Sequence, residues 1–106
     1  MYKVPQKKHP LKPKPYKNRY YLKWLHSQGL TCMVCGVPQI EIHHLRRKGQ
    51  VGRIDNQCVP LCPVHHRTGK LSAHGFDSKE FLDQYLDDMF DEAERLFKKF
   101  IEEEVK

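Results

Sequence analysis

The sequence predicts a small α+β fold: two short strands in a loop-rich middle segment, set between a short helix and a long one. Three observations predict it. The middle of the chain, about Leu30 to Gly75, is rich in Cys, His, Gly and Arg and carries two short apolar runs of strand character. Upstream, Tyr20, Tyr21, Trp24 and Leu25 recur at helical spacing. Downstream, an almost unbroken apolar stripe runs from Phe81 to Ile101. A chain of 106 residues is one domain with a small hydrophobic core. It has no apolar run of about 18 residues to span a bilayer, and no apolar stretch follows its first lysines as a secretory signal requires. A cytoplasmic protein with no membrane partner is expected.

Residues 1–16 form the first segment, with Pro5, Pro10, Pro13 and Pro15 among Lys3, Lys7, Lys8, Lys12 and Lys14. Proline removes donors and lysines repel, so an extended basic arm is expected here. Residues 17–76 form the second segment, opening on a helix from about Lys17 to Gln28, stopped by Gly29. That helix's aromatic residues read first as a core-facing stripe. The spacing predicts a strand over Val37 to Leu45, a loop over Arg46 to Asp55, a second strand near Gln57 to Leu61, and a short helix after Pro63 carrying His65, His66 and Arg67. Residues 77–106 form the third segment, one long amphipathic helix. Asp77 and Glu80 make a capping-box pattern, with Ser78 as the alternative cap. Such a helix is longer than a core of this size can cover, so its distal end should pack on the first helix, a second copy of the chain, or another protein.

Charge is divided along the chain. Residues 1–76 hold 14 of the 19 Lys and Arg and only two acids, Glu41 and Asp55, while residues 77–106 hold 11 acids against 5 bases. A polyanion-binding body joined to an acidic helix is expected. On composition alone the polyanion is DNA, RNA or an acidic membrane.

The spacing of cysteines is more specific. Cys32 and Cys35 flank Met33-Val34, and Cys62 and His65 flank Pro63-Val64. Two residues between ligands let one tight turn aim both side chains at one ion, and two such turns close a tetrahedron that zinc accepts. Two disulfides are the competing reading, but without a secretory signal zinc is favoured. Cys58 is a rival to Cys62 as ligand. The Cys-x-x-His pair favours Cys62 and leaves Cys58 as a small buried strand residue. With Cys32, Cys35, Cys62 and His65 filling a structural zinc site, His43, His44 and His66 are surplus. Adjacent strand residues face opposite ways, so His43 and His44 have different work unless the chain bends: one to hold a metal, one to act as a base.

The order Cys-x-x-Cys, then Glu41-Ile42-His43-His44-Leu45, then Asp55-Asn56, then Pro60-Leu61-Cys62-Pro63-Val64-His65-His66 resembles the HNH endonucleases of the ββα-metal superfamily. The string Val59-Pro60-Leu61-Cys62-x-x-His65-His66 is especially similar to small zinc-knuckle members from phage and prophage, including the recombination-enhancement nucleases. The resemblance spans about Thr31 to Gly75 and implies a zinc-stapled ββα-metal core between the two flanking helices. It implies that His44 is the general base, that His43 and His66 ligate the catalytic ion, and that Asn56 orients the segment bearing the base. A third family histidine falls four residues after His66, where this chain has Lys70. His74 is a candidate substitute, with a phosphate contact or a plain surface residue as alternatives.

The activity implied by the resemblance is a metal-dependent hydrolysis of DNA, with Mg²⁺ or another divalent cation as catalytic cofactor beside the structural Zn²⁺. Arg46, Arg47, Lys48, Arg53, Arg67 and Lys70 are expected to hold phosphates. A homodimer or a protein partner would use the last helix. Two rivals remain: a zinc-stabilised DNA-binding module without catalysis, and a zinc-bound adaptor that uses the acidic helix.

Overall fold

The computed structural model describes residues 16–46 and 52–104. The basic arm up to Pro15, together with Arg47 and Lys48, lies outside the described residues.

The first helix, α1, runs Arg19–Ser27, inside the expected span. Asn18 trims its start: the residue is extended, and its side-chain oxygen accepts the Tyr21 backbone N–H at 3.0 Å. Gly29, at φ 65°, turns the chain away at the other end. The buried face carries Tyr21 and Leu25.

Strand β1 is Glu41–His44 and strand β2 is Cys58–Leu61, paired antiparallel with Glu41 opposite Leu61 and His44 opposite Cys58. The expected first strand is longer than β1. Its first residues are spent elsewhere, because the Val37 carbonyl accepts the Cys32 N–H at 2.9 Å and closes a turn. Pro38 also has no N–H to give to a ladder. β2 is buried along its whole length, with apolar groups on both of its faces.

The short helix expected after Pro63 is a single wide turn, Val64–Thr68, of π type. It closes with the Gly69 N–H on the Val64 carbonyl at 2.9 Å, five residues back. A side chain at position 69 would place its Cβ 2.6 Å from that carbonyl, so glycine is required there. Turns of this kind redirect side chains and are common at functional sites.

The last helix, α2, runs Ser78–Glu104, about 40 Å at 1.5 Å per residue. Asp77 stands immediately before it, and its carbonyl accepts the Phe81 N–H at 3.1 Å. One flank of α2 serves two clusters. Phe81, Met89 and Ala93 pack with Leu45, Val59 and Leu61. Leu96 and Phe100 pack with Tyr21, Leu25 and Cys58. The distal end therefore packs on α1, the first of the three expected partners. Trp24 closes that junction, donating its indole N–H to Glu103 Oε1 at 2.9 Å. The result is a small α+β fold with a two-stranded antiparallel sheet and a long C-terminal helix. Among the described residues, no helix is long and apolar enough to cross a membrane.

Candidate metal centres

Two groups of metal-ligating side chains assemble on this frame. The first joins Cys32, Cys35, Cys62 and His65, whose ligand atoms all lie within 4.8 Å of one another. The Gly36 N–H on the Cys32 carbonyl at 2.8 Å, with Gly36 at φ 84°, folds the first pair into a knuckle. The second pair comes from the end of β2 and the Val64–Thr68 turn, and the His65 N–H reaches the Cys62 sulfur at 3.5 Å. A tetrahedral ion bonded at about 2.3 Å to sulfur and 2.0–2.1 Å to nitrogen needs edges of about 3.8 Å for S–S and 3.6 Å for S–N. Cys35 Sγ and Cys62 Sγ are 3.8 Å apart, and His65 Nδ1 lies 3.8 Å from Cys32 Sγ and 3.3 Å from Cys62 Sγ. The donor set fits such an ion. All four cysteines are free thiols, and Cys58, buried in β2, stands outside the group. Burial pushes the Cys32 thiol up, but the backbone N–H groups of Cys62, Cys35 and Val34 outweigh it and bring it down to about 6. A thiol so placed ionises readily for a cation.

The second group joins His43, His66 and His74, again with ligand atoms within 4.8 Å. His43 comes from β1, His66 from the wide turn, and His74 from the loop leading to α2. Two backbone bonds lash that loop to the turn, Ala73 N–H to the His65 carbonyl at 2.9 Å and His74 N–H to the His66 carbonyl at 3.0 Å. The rings stand 5.0–5.1 Å apart, centroid to centroid. Burial, then the neighbouring His66, His74 and His44, bring His43 down to about 4. At neutral pH it is therefore an uncharged imidazole with a lone pair to offer. Burial and His66 lower His74 as well.

Glu41, two residues before His43, accepts from His66 Nδ1 at 2.7 Å. It also takes Arg67 through Nε at 3.0 Å and Nη2 at 2.8 Å. Arg67 and then His66 hold the Glu41 carboxyl down at about 2. With Nδ1 committed to a carboxylate, Nε2 is the nitrogen of His66 that can bind an ion, the usual outer support of a ligating histidine.

His43, His44, His66 and His74 line one cavity of about 340 Å³ with Ile42, Arg46 and Arg53. His44 lines the cavity without joining the three-histidine group, and its Nε2 meets Asp55 Oδ1 at 3.0 Å. Asn56 lies elsewhere, in a cavity against α2 with Gln57, Phe90, Asp91, Glu94 and Phe97. Of the expected phosphate-binding side chains, Arg46 and Arg53 are exposed at the cavity. Arg67 is paired with Glu41, and Lys70 sits 5.8 Å over the Phe76 ring and 4.0 Å from Asp77.

No protein-family model, curated protein or solved structure matches the chain.

Sequence reasoning assigns no role to Glu41 or Asp55. The signal is nevertheless present. They are the two acids of the basic residues 1–76, and each is bonded to a histidine of the cavity.

Proposed function

We propose that the chain is a metal-dependent endonuclease of HNH type, hydrolysing DNA phosphodiester bonds to 5′-phosphate and 3′-hydroxyl ends. The observation that carries this reading is the second group of donors. The Cys32, Cys35, Cys62 and His65 group is already complete as a structural site, and its edges match the bond lengths of zinc. Three further imidazoles gather beside a fourth in a cavity edged by Arg46 and Arg53, a second donor group that the first site does not use. The order β1, β2, wide turn supports the ββα-metal reading, with Val64–Thr68 in the place of the helix.

In this reading His43, His66 and His74 would hold a divalent cation that accepts imidazole, such as Mn²⁺, Ni²⁺ or Zn²⁺. When bound, that cation supplies positive charge to the scissile phosphate and to the departing 3′ oxygen. Arg46 and Arg53 bind the flanking phosphates, and guanidinium forks suit paired phosphate oxygens. His44 accepts a proton from the attacking water, a task fitted to an uncharged imidazole. Glu41 fixes the ring of His66.

A zinc-stabilised DNA-binding module would need the first donor group and the basic surface but neither His44 nor the second group. Nicking of supercoiled plasmid in Mg²⁺ or Mn²⁺ separates the two. Wild type should nick, and His44→Ala should lose nicking by a factor of about 10²–10⁴ while keeping its zinc and its DNA affinity. Wild type that nicks in no divalent metal refutes the nuclease.

A further inference from the structure

His44 is held by a residue to which the proposed chemistry gives no part. Asp55 Oδ1 lies 3.0 Å from His44 Nε2, and Asp55 is only 5% exposed. Its other oxygen accepts the Asn18 backbone N–H at 2.7 Å. The backbone on either side is fixed as well: the Asp55 N–H donates to the Tyr16 carbonyl at 2.8 Å, and its carbonyl accepts the Cys58 thiol at 3.2 Å. Cys58 in turn stands directly opposite His44 on the strand ladder. One carboxylate oxygen is thus committed to the start of α1, the other faces the imidazole, and the group between them cannot swing away.

We propose that Asp55 is the positioning residue of this site: by accepting the Nε2 proton of His44 it fixes the ring and leaves Nδ1 as the nitrogen with the free lone pair. An ionised carboxylate accepts hydrogen bonds and cannot donate one, so a neutral imidazole bonded to it must carry its single proton on the bonded nitrogen. His44 is thereby set as a base before any substrate arrives. When Nδ1 takes a proton from water, the imidazolium formed faces the Asp55 carboxylate, which stays ionised, and the proton is later released to solvent. The proposal draws its use from the nuclease reading, but the tautomer belongs to the resting protein.

Asp55→Asn separates the two. The amide NH₂ cannot accept the Asn18 N–H, so the amide oxygen must take that place and the NH₂ must face His44. Nε2 then becomes the acceptor and the ring proton moves to Nδ1. Long-range ¹H–¹⁵N spectra of the zinc-loaded full chain read both nitrogens, with His44 assigned by its loss in His44→Gln. Wild type should show a protonated Nε2 and an unprotonated Nδ1, and Asp55→Asn should show the reverse with zinc content and circular dichroism unchanged. Plasmid nicking should then fall in kcat by about 10³–10⁴, the scale on which a reversed tautomer disables a base, with DNA affinity retained. A wild-type ring that carries its single proton on Nδ1 rather than Nε2 overturns the proposal, whether or not Asp55→Asn folds. So does an Asp55→Asn protein that keeps the wild-type tautomer or the wild-type kcat. If wild type shows the expected nitrogens but never nicks DNA, the nuclease reading fails and the Asp55–His44 pair stands.

Discussion

Glu41 shows how much one side chain can organise. It ties His66 to Arg67, so Glu41→Gln should release both. Mn²⁺ affinity at His43, His66 and His74 is then expected to fall about 10- to 100-fold by isothermal titration, the range typical when the outer partner of a ligating histidine is removed, with zinc content unchanged. His43 gives a pH dependence of known sign. Its folded value is lowered from 6.5 to about 4, so its neutral form is favoured in the fold, and the stability that depends on it is complete above pH 6.5. That stability is lost as the pH falls from 6.5 toward 4. The difference in urea midpoint between wild type and His43→Gln should therefore shift against wild type across that interval. Tyr21 is a different case. Its hydroxyl is buried with no hydrogen-bond partner among the described residues, and burial raises its pKa. Tyr21→Phe should leave stability unchanged or raise it by about 1 kcal/mol in thermal melts, because an unsatisfied donor is removed. At this scale the four-donor group is legible in the sequence, since two residues between ligands is a local rule. His74 is only a candidate there, because the loop that returns it is held by backbone bonds to His65 and His66 that no spacing encodes.

Among the elements, the long helix is the plainest in sequence and the wide turn the least. A stripe such as Phe81, Met89, Ala93, Leu96 and Phe100 expresses the helical repeat directly. Which partner covers its distal end depends on where α1 lands, and that is decided by long-range contacts: the Asn18 N–H on Asp55 and the rings of Tyr21, Trp24 and Phe100. Phe100→Ala should cost about 3–5 kcal/mol, a large share of a small domain's stability. Trp24 fluorescence should shift to the red in this variant as α1 loosens from α2. The first strand runs short of its apolar pattern because a sequence pattern cannot show that the Val37 carbonyl is already engaged by Cys32. The Val64–Thr68 turn reads as an ordinary helix in sequence because histidine and arginine are permitted in either. Only the close approach of Gly69 to the Val64 carbonyl distinguishes it.

For the molecule as a whole, both signs of charge stand exposed on the surface. The exposed side of α2 carries Glu80, Asp83, Asp87, Asp88, Asp91 and Glu94, while Arg46 and Arg53 stand at the histidine cavity. A polyanion approaching the cavity is drawn by one and repelled by the other, which restricts its orientation. In the proposed reading, deleting residues 1–15 removes five lysines and should weaken DNA binding and flatten its salt dependence, as read by filter binding across a salt series. In the proposed reading, loss of an ion from the first donor group should be global. That group joins the knuckle, the end of β2 and the turn, so Cys32→Ser is expected to abolish cooperative unfolding by circular dichroism.

His65 and His66 are neighbours on one turn, yet each belongs to a different donor group. A single peptide bond is the whole distance between them along the chain. Insertion of one residue at that bond would rotate the second histidine by roughly a quarter turn or more relative to the first, dismantling one group or the other. An insertion or deletion at that bond therefore cannot spare both groups. Any engineered version of this scaffold that keeps the first donor group while redesigning the second must leave the backbone from Cys62 to Gly69 untouched.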